Sequence, residues 1–160
     1  MPAHTERHVP EWDRQVLDVT TGSTVLEQAV LDVVTADPIT GQAVHVDVTV
    51  TTANPGDRAS LRGRARNDGW GAADAAAAKR RRYDLAGATL VPMAFEDGGR
   101  AGEETVSFVR RCGAAAGRLG RQLGTTDALG GQPPTAQLWQ GLSTLLQLGN
   151  AELLLRANGR

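Results

Sequence analysis

Two neighbouring stretches with strand-like patterns constrain the fold of this chain more than any other feature. Residues 29–36 have the mostly apolar sequence AVLDVVTA, and residues 43–51 have the sequence AVHVDVTVT, in which valine alternates with polar residues. Strict alternation of β-branched residues is typical of a strand that turns one face to the core. The intervening DPITGQ contains Pro38 and Gly41, which favour a turn. Together these segments predict a β-hairpin.

Three helices and one further strand are predicted after the hairpin. Residues 72–85 are alanine-rich, with an acid near the start and bases near the end, as helices favour. Residues 103–122 predict an amphipathic helix, with an apolar stripe formed by Val106, Val109, Cys112, Ala116 and Leu119. Residues 88–95 predict a strand, in which Pro92 disfavours a central position in a sheet. Residues 136–156 predict a leucine-rich helix with a break at its Gly-Asn pair.

The order of these segments predicts an α/β fold, in which a mixed β-sheet built on the hairpin is flanked by helices. Residues 1–24 are polar and turn-rich, and we expect an irregular arm with one short strand at residues 16–20. Residues 25–122 form the expected α/β core. Residues 123–135 are expected to be a loop, and residues 136–160 a C-terminal helical segment packed on the core.

Composition excludes several classes of protein. The chain has 160 residues, of which 41% are hydrophobic, and a net charge of −1. These values allow a packed core and exclude a generally basic surface for nucleic acid, so that any such binding needs a local patch. We expect neither a membrane span nor a signal peptide, because no apolar run is long enough. The single cysteine, Cys112, excludes an internal disulfide and fits a reducing intracellular compartment.

Asp32 and Asp47 each interrupt an apolar strand of the predicted hairpin. If the turn is centred between Ile39 and Thr40, the two aspartates are equally far from it and lie directly opposite each other. Their Cβ atoms would then be roughly 5 Å apart on one face. Because like charges at this distance repel, we expect a divalent cation between them, and Mg²⁺ prefers oxygen ligands. The alternative is a pair of aspartates facing solvent on an open sheet face.

Lys79 is conspicuous because 16 of the 17 basic residues are arginine and it is the one lysine. It lies on the helix after the hairpin, with Tyr83 one turn later on the same face. Lysine can lose its proton near neutral pH, whereas arginine cannot, so lysine is suited to orienting or deprotonating a water. The alternative is a surface lysine in a solvated KRRR run.

An aspartate on each of two paired strands with a lysine nearby resembles the PD-(D/E)XK nuclease superfamily. More closely, VLDVV, DVTV and KRRRY resemble the restriction-like endonuclease domain of site-specific non-LTR retrotransposons. In that family the lysine lies on the helix after the second acidic strand, with a tyrosine one turn later. The stretches HVPEWDR, VPMAFEDGG and LWQGLSTLLQLGNAELLL are similar to the C-terminal tails of retrotransposon polyproteins. The resemblance thus covers most of residues 8–156.

This resemblance implies a restriction-endonuclease-like fold and cleavage of DNA that depends on Mg²⁺ or Mn²⁺. Asp32 and Asp47 would hold the metal, which activates a water and stabilises charge on the scissile phosphate. Lys79 would orient or deprotonate that water, and Tyr83 would pack or hydrogen-bond beside Lys79. The family also implies a nuclear location, and as partners DNA and the reverse transcriptase domain or RNA template of the parent element.

Arginines around the predicted site are candidates for contacts with DNA phosphates. They are Arg58, Arg62, Arg66, Arg80, Arg81 and Arg82. A solvated basic face is the alternative for this group. Two further acids are candidates for the aspartate pair. Glu27 has the wrong strand parity to join Asp32, and no pattern places Glu96 near it. For the whole chain, the alternative is a catalytically inactive nucleic-acid-binding or structural remnant, with the leucine-rich helix as the surface of a homodimer.

Overall fold

The computed structural model describes residues 4–52, 61–62, 66–83, 89–123 and 132–158. Within these residues six strands are defined: β1 (His4–His8), β2 (Arg14–Leu17), β3 (Thr24–Glu27), β4 (Val30–Ala36), β5 (Ala43–Thr51) and β6 (Thr89–Glu96). Three α-helices are defined from end to end: α1 (Trp70–Arg82), α2 (Glu103–Leu123) and α3 (Pro134–Asn158). A short 3-10 helix, Pro10–Trp12, connects β1 to β2. None of the described helices has the length and apolarity needed to cross a membrane.

A four-stranded mixed sheet forms the centre of the fold, in the order β1-β4-β5-β6. β1 and β5 both pair antiparallel with β4, whereas β6 pairs parallel with β5. Parallel neighbours require a crossover connection, and α1 lies in the connection between β5 and β6. The mixed α/β class with a mixed sheet is therefore confirmed. β2 and β3 form a separate two-stranded antiparallel hairpin.

The predicted β4–β5 hairpin is confirmed, together with its register. Val33 pairs with Val46, as expected for a turn centred between Ile39 and Thr40. Asp37 stabilises this turn, because its Oδ1 atom accepts the N–H groups of both turn residues at 2.9 Å. The hairpin register therefore follows from the local chemistry of the turn.

Strand β5 divides its side chains between the two faces of the sheet. Val44 and Val46 face α2 and α3 and belong to the largest apolar core. The other described members of that core are Val91, Met93, Phe95, Phe108 and Val109. His45 and Asp47 point to the opposite face, which α1 covers. There Ala72 and Ala76 of the helix pack on Ala94 of β6, and these small side chains bring the helix close to the sheet.

The N-terminal segment is more regular than the irregular arm expected for residues 1–24, and that expectation was wrong. β1 extends the sheet by pairing with β4, and the expected boundary at residue 24 falls inside β3. β2 ends at Leu17 and does not cover residues 16–20. The sequence pattern missed β1 because edge strands pair on one side only and often carry charged residues.

Helix α2 is confirmed, but its buried stripe differs from the expected one. The expected stripe was Val106, Val109, Cys112, Ala116 and Leu119. The buried residues are Thr105, Phe108, Val109 and Gly113, and Leu119 is 55% exposed. The start of α3 packs on α2 at Gly113, where a Cβ atom would lie 2.8 Å from Cα of Thr135. The other buried residues of α2 face the sheet, where Phe108 and Val109 join the apolar core and Thr105 bonds to the carbonyl of Ala94.

Two further expectations concern Pro92 and the C-terminal helix. Pro92 lies in β6, which is an edge strand, and prolines within sheets occur mainly on edge strands. α3 is continuous through Gly149 and Asn150, so the expected break is absent from this helix. The helix also begins inside the expected loop at residues 123–135, most of which lies outside the described residues.

Candidate active site

Asp32 on β4, Asp47 on β5 and Lys79 on α1 meet on the face of the sheet that α1 covers. The Nζ atom of Lys79 lies 2.7 Å from Oδ2 of Asp47, and their side chains are 23% and 5% exposed. The Asp32 carboxylate is close enough to Asp47 for its charge to raise the pKa of the Asp47 carboxyl group. The structure thus brings together the two aspartates and the lysine that the sequence singled out.

The position of Asp32 follows from a local change in the β4–β5 pairing. Regular backbone pairing between these strands reaches Val33 and Val46. Beyond that pair, the backbone N–H of Val48 donates to Oδ2 of Asp32 at 2.5 Å, so a side-chain oxygen takes the place of a backbone carbonyl. This bond holds the Asp32 carboxylate against β5, next to Asp47.

The electrostatics of the site are dominated by burial. Burial raises the pKa of Asp47; the Lys79 ammonium opposes that rise, and the neighbouring Asp32 charge adds to it. One ammonium faces two carboxylates, so the fully ionised cluster carries excess negative charge. Two close carboxylates relieve their repulsion either by taking up a proton, which the raised pKa of Asp47 reflects, or by binding a cation.

The two carboxylates fit a Mg²⁺ site of the open kind. Mg²⁺ commonly uses one or two protein carboxylates, and water and substrate phosphate supply its other ligands. Among the described residues there is no group of three or more His, Cys, Asp or Glu side chains that could hold a metal ion. For a metal bound with fewer protein ligands, Asp32 and Asp47 would supply the carboxylate oxygens, and water and substrate would take the remaining positions.

Tyr83 follows α1 directly and is buried against the same site. Its hydroxyl group interacts with Asp47, and burial followed by the Asp47 charge raises the pKa of the phenol. Its ring packs against Trp12 with centroids 5.7 Å apart, and Trp12 in turn packs against His45 at 4.5 Å. Tyr83 therefore contacts the site through Asp47 and is itself held by an aromatic neighbour.

The N-terminal HVPEWDR segment positions Trp12. The backbone N–H of Val9 donates to the carbonyl of Ala29 at 2.8 Å, and Asp13 accepts the N–H of Ala29, also at 2.8 Å. His8 lies 2.9 Å from both carboxylate oxygens of Asp13. Sequence reasoning missed Trp12, although a tryptophan inside a segment that carries the family resemblance was an available signal.

The predicted phosphate-contacting arginines that the structure describes differ in their surroundings. Arg58 lies outside the described residues, and Arg62 and Arg66 are exposed. Arg80 is held by an acid on another helix, because its Nε donates to Oε1 of Glu104 on α2 at 3.0 Å. Arg80 therefore links two helices.

Arg81 and Arg82 line a cleft of about 520 Å³ next to Lys79, and Arg14 of β2 joins them there. Sequence reasoning did not include Arg14, because no local pattern brings β2 close to the end of α1. Glu27, which strand parity excluded from the aspartate pair, contacts Arg14 at 2.7 Å and Arg82 at 2.8 Å. The cleft is therefore basic and adjoins the buried carboxylates.

Glu96 has a structural role in this fold. Its Oε1 atom accepts the backbone N–H of Gly71 at 3.1 Å, at the beginning of α1. A carboxylate at a helix N-terminus satisfies a free N–H group and interacts favourably with the helix dipole. Glu96 thus fixes the start of the helix whose other end carries Lys79.

No protein-family model, curated protein or solved structure gives a significant match to this chain. The resemblance described above stays a prediction.

Proposed function

We propose that this protein is a metal-dependent DNA endonuclease with a restriction-endonuclease-like fold, derived from a non-LTR retrotransposon. The observation that carries the proposal is the convergence of Asp32, Asp47, Lys79 and Tyr83 from three separate elements onto one buried face. Burying charged groups is costly unless they are paired and hydrogen-bonded, and a sheet with a purely structural role gains little from it. On this proposal the protein acts in the nucleus, with the reverse transcriptase domain or RNA template of the parent element as a partner.

Each of the four side chains has a defined role in the proposed reaction. Asp32 and Asp47 would hold Mg²⁺ or Mn²⁺, which when bound supplies Lewis acidity for the attacking water and the scissile phosphate. Lys79, anchored on Asp47, would orient that water or accept its proton. Tyr83 would restrain the Asp47 carboxylate through its hydroxyl group.

The second candidate is a nucleic-acid-binding module without catalytic activity. It is favoured by the direct 2.7 Å ion pair between Lys79 and Asp47, which already provides the buried carboxylate with a positive partner. This candidate uses the same basic cleft for phosphates and needs no metal. The two candidates differ in whether DNA is cut.

A plasmid-nicking assay separates the two candidates. The endonuclease should convert supercoiled plasmid to the nicked form with Mg²⁺ or Mn²⁺ and should stop when EDTA is added. Asp47→Ala should abolish nicking because a metal ligand is lost, while DNA binding is retained or tightened. Asp74→Ala, an exposed acid on α1, is the matched control and should nick normally. Equal nicking by the Asp47 variant would contradict the proposed role, and no nicking by the unmodified protein would favour the binding module.

A further inference from the structure

We propose that Arg14 and Arg82 form a binding site for a nucleic-acid phosphate, which the carboxylate of Glu27 fills when no nucleic acid is bound. The identity of the ligand, a phosphodiester backbone, rests on the proposed function. The site itself rests on the positions of three side chains from β2, β3 and α1.

Each carboxylate oxygen of Glu27 contacts a different arginine. Oε2 accepts a hydrogen bond from Nε of Arg14 at 2.7 Å, and Oε1 lies 2.8 Å from an Nη atom of Arg82. Guanidinium groups bind carboxylate and phosphate oxygens with the same planar geometry. The two non-bridging oxygens of a phosphodiester can therefore take the positions that the two Glu27 oxygens occupy.

The two arginines open onto the cleft that leads to the aspartate pair. Arg14, Lys79, Arg81 and Arg82 line it, and no acidic side chain is among its described lining residues. Thr49, two residues after Asp47 on the same face of β5, also lines it. A nucleic-acid strand with one phosphate between Arg14 and Arg82 would thus continue toward Lys79.

Glu27 is suited to be displaced by a ligand. The Arg14, Glu27 and Arg82 side chains are 47%, 34% and 32% exposed, and ion pairs this accessible to water add little to stability. The Arg14 hydrogen bond lowers the pKa of Glu27, so the carboxylate is ionised at neutral pH and acts as an anion. A phosphate with its own negative charge can replace it without leaving an arginine buried and unpaired.

The experiment measures binding of a fluorescently labelled DNA duplex by anisotropy in EDTA, so that no cleavage interferes. Glu27→Gln should raise the affinity roughly 2- to 30-fold, the effect of releasing two exposed ion pairs. Arg14→Gln and Arg82→Gln should each weaken binding and reduce the slope of log affinity against log salt by about 0.9. The matched control is Glu104→Gln, which frees Arg80 on the helix that also carries Arg82. It should leave the DNA affinity and the salt slope unchanged.

Unchanged or weaker binding by the Glu27 variant, with slopes unaffected in both arginine variants, would overturn the inference and leave an ordinary surface ion-pair cluster. Absence of DNA binding at low salt would overturn it as well. Circular dichroism checks that each variant is folded. Where Arg14→Gln or Arg82→Gln does not fold, Arg14→Lys or Arg82→Lys takes its place, and the expected loss of DNA affinity is smaller. If the protein cleaves DNA but the Glu27, Arg14 and Arg82 variants do not change binding as expected, only the proposed phosphate site is overturned. If these variants change binding as expected but the protein does not cleave DNA, only the proposed catalysis is overturned.

Discussion

The two faces of the central sheet bury different kinds of side chain. Toward α2 and α3, β5 contributes Val44 and Val46 to an apolar core. Toward α1, the same strand contributes Asp47, which is buried beside Lys79. Because one strand supplies both faces, its alternating sequence encodes the scaffold and the candidate site together. The comparison teaches that a carboxylate on a covered face of a sheet loses its water and needs a partner, whereas one on an open face stays solvated.

The two faces also differ in the size of the side chains that pack on them. Phe108 and Val109 of α2 fill the apolar face, whereas α1 packs on the sheet through Ala72 and Ala76. Small side chains let α1 approach the sheet closely enough for Lys79 to contact a strand residue. The apolar face therefore holds the largest apolar core, and the α1 face holds the candidate site.

The largest expected effect tests the apolar face. Phe108→Ala should lower the free energy of unfolding by about 3–5 kcal/mol, because it leaves a cavity in the main core. Leu119→Ala, on the same helix but 55% exposed, should change it by no more than about 0.5 kcal/mol. Urea denaturation measures both values. Similar losses in the two variants would mean that the buried face of α2 has been assigned wrongly.

The next effect tests the chemistry of the α1 face. Lys79→Arg keeps the positive charge but cannot act as a base, so nicking should fall by about 100-fold or more. DNA affinity should stay within a few-fold, because the charge is retained. The control is Arg80→Lys, which replaces the neighbouring arginine by lysine and should leave nicking unchanged. Full activity of the Lys79 variant would reduce Lys79 to a phosphate contact.

A smaller effect distinguishes the faces by their response to metal. Mg²⁺ at ten times its Kd should raise the free energy of unfolding by about 1.4 kcal/mol, because it binds the folded state only. The stabilisation should vanish in Asp47→Asn and persist in Asp74→Asn. Thermal unfolding followed by circular dichroism in Mg²⁺ and in EDTA measures the shift. An equal shift in the Asp47 variant would place the metal elsewhere.

The smallest expected effect is a change in the pH dependence of stability. Burial raises the pKa of Asp47, so the folded state binds this proton more tightly than the unfolded state does. Stability should therefore fall as the pH rises from the ordinary aspartate value through the raised one. In EDTA, the stability of Asp47→Asn relative to the unmodified protein should increase over that window. A relative stability that decreases with pH would show that the Lys79 ion pair outweighs burial.

The sequence predicts the hairpin and the position of its aspartates because both depend on local features. Valine alternation defines β5, and a turn centred between Ile39 and Thr40 sets the register as far as Val33 and Val46. The bond from the Val48 N–H then holds Asp32 beside Asp47. The helix that carries Lys79 is also evident from its alanine content. The contact between Lys79 and Asp47 depends on the crossover between β5 and β6, which places α1 on that face of the sheet. The family resemblance predicts a lysine on this helix near the aspartates, whereas periodicity alone does not determine where the helix lies.

The parts that sequence reasoning missed depend on contacts between distant segments. β1 carries no apolar alternation, and its strand conformation comes from pairing with β4. Trp12 and Arg14 reach the site because the N-terminal segment is hydrogen-bonded to Ala29. The buried stripe of α2 is set by its packing on the sheet and by the close approach of α3 at Gly113, which hydrophobic periodicity does not encode.

We expect the α1 face to hold a divalent-metal site between Asp32 and Asp47. Counting bound Mn²⁺ by electron paramagnetic resonance tests it most directly, because free and bound Mn²⁺ give different signals. The account predicts one Mn²⁺ per chain, displaced by Mg²⁺ and lost in both Asp32→Asn and Asp47→Asn, with Asp74→Asn unaffected. No bound Mn²⁺ in the unmodified protein, or the same Mn²⁺ binding in the Asp47 variant, would contradict it.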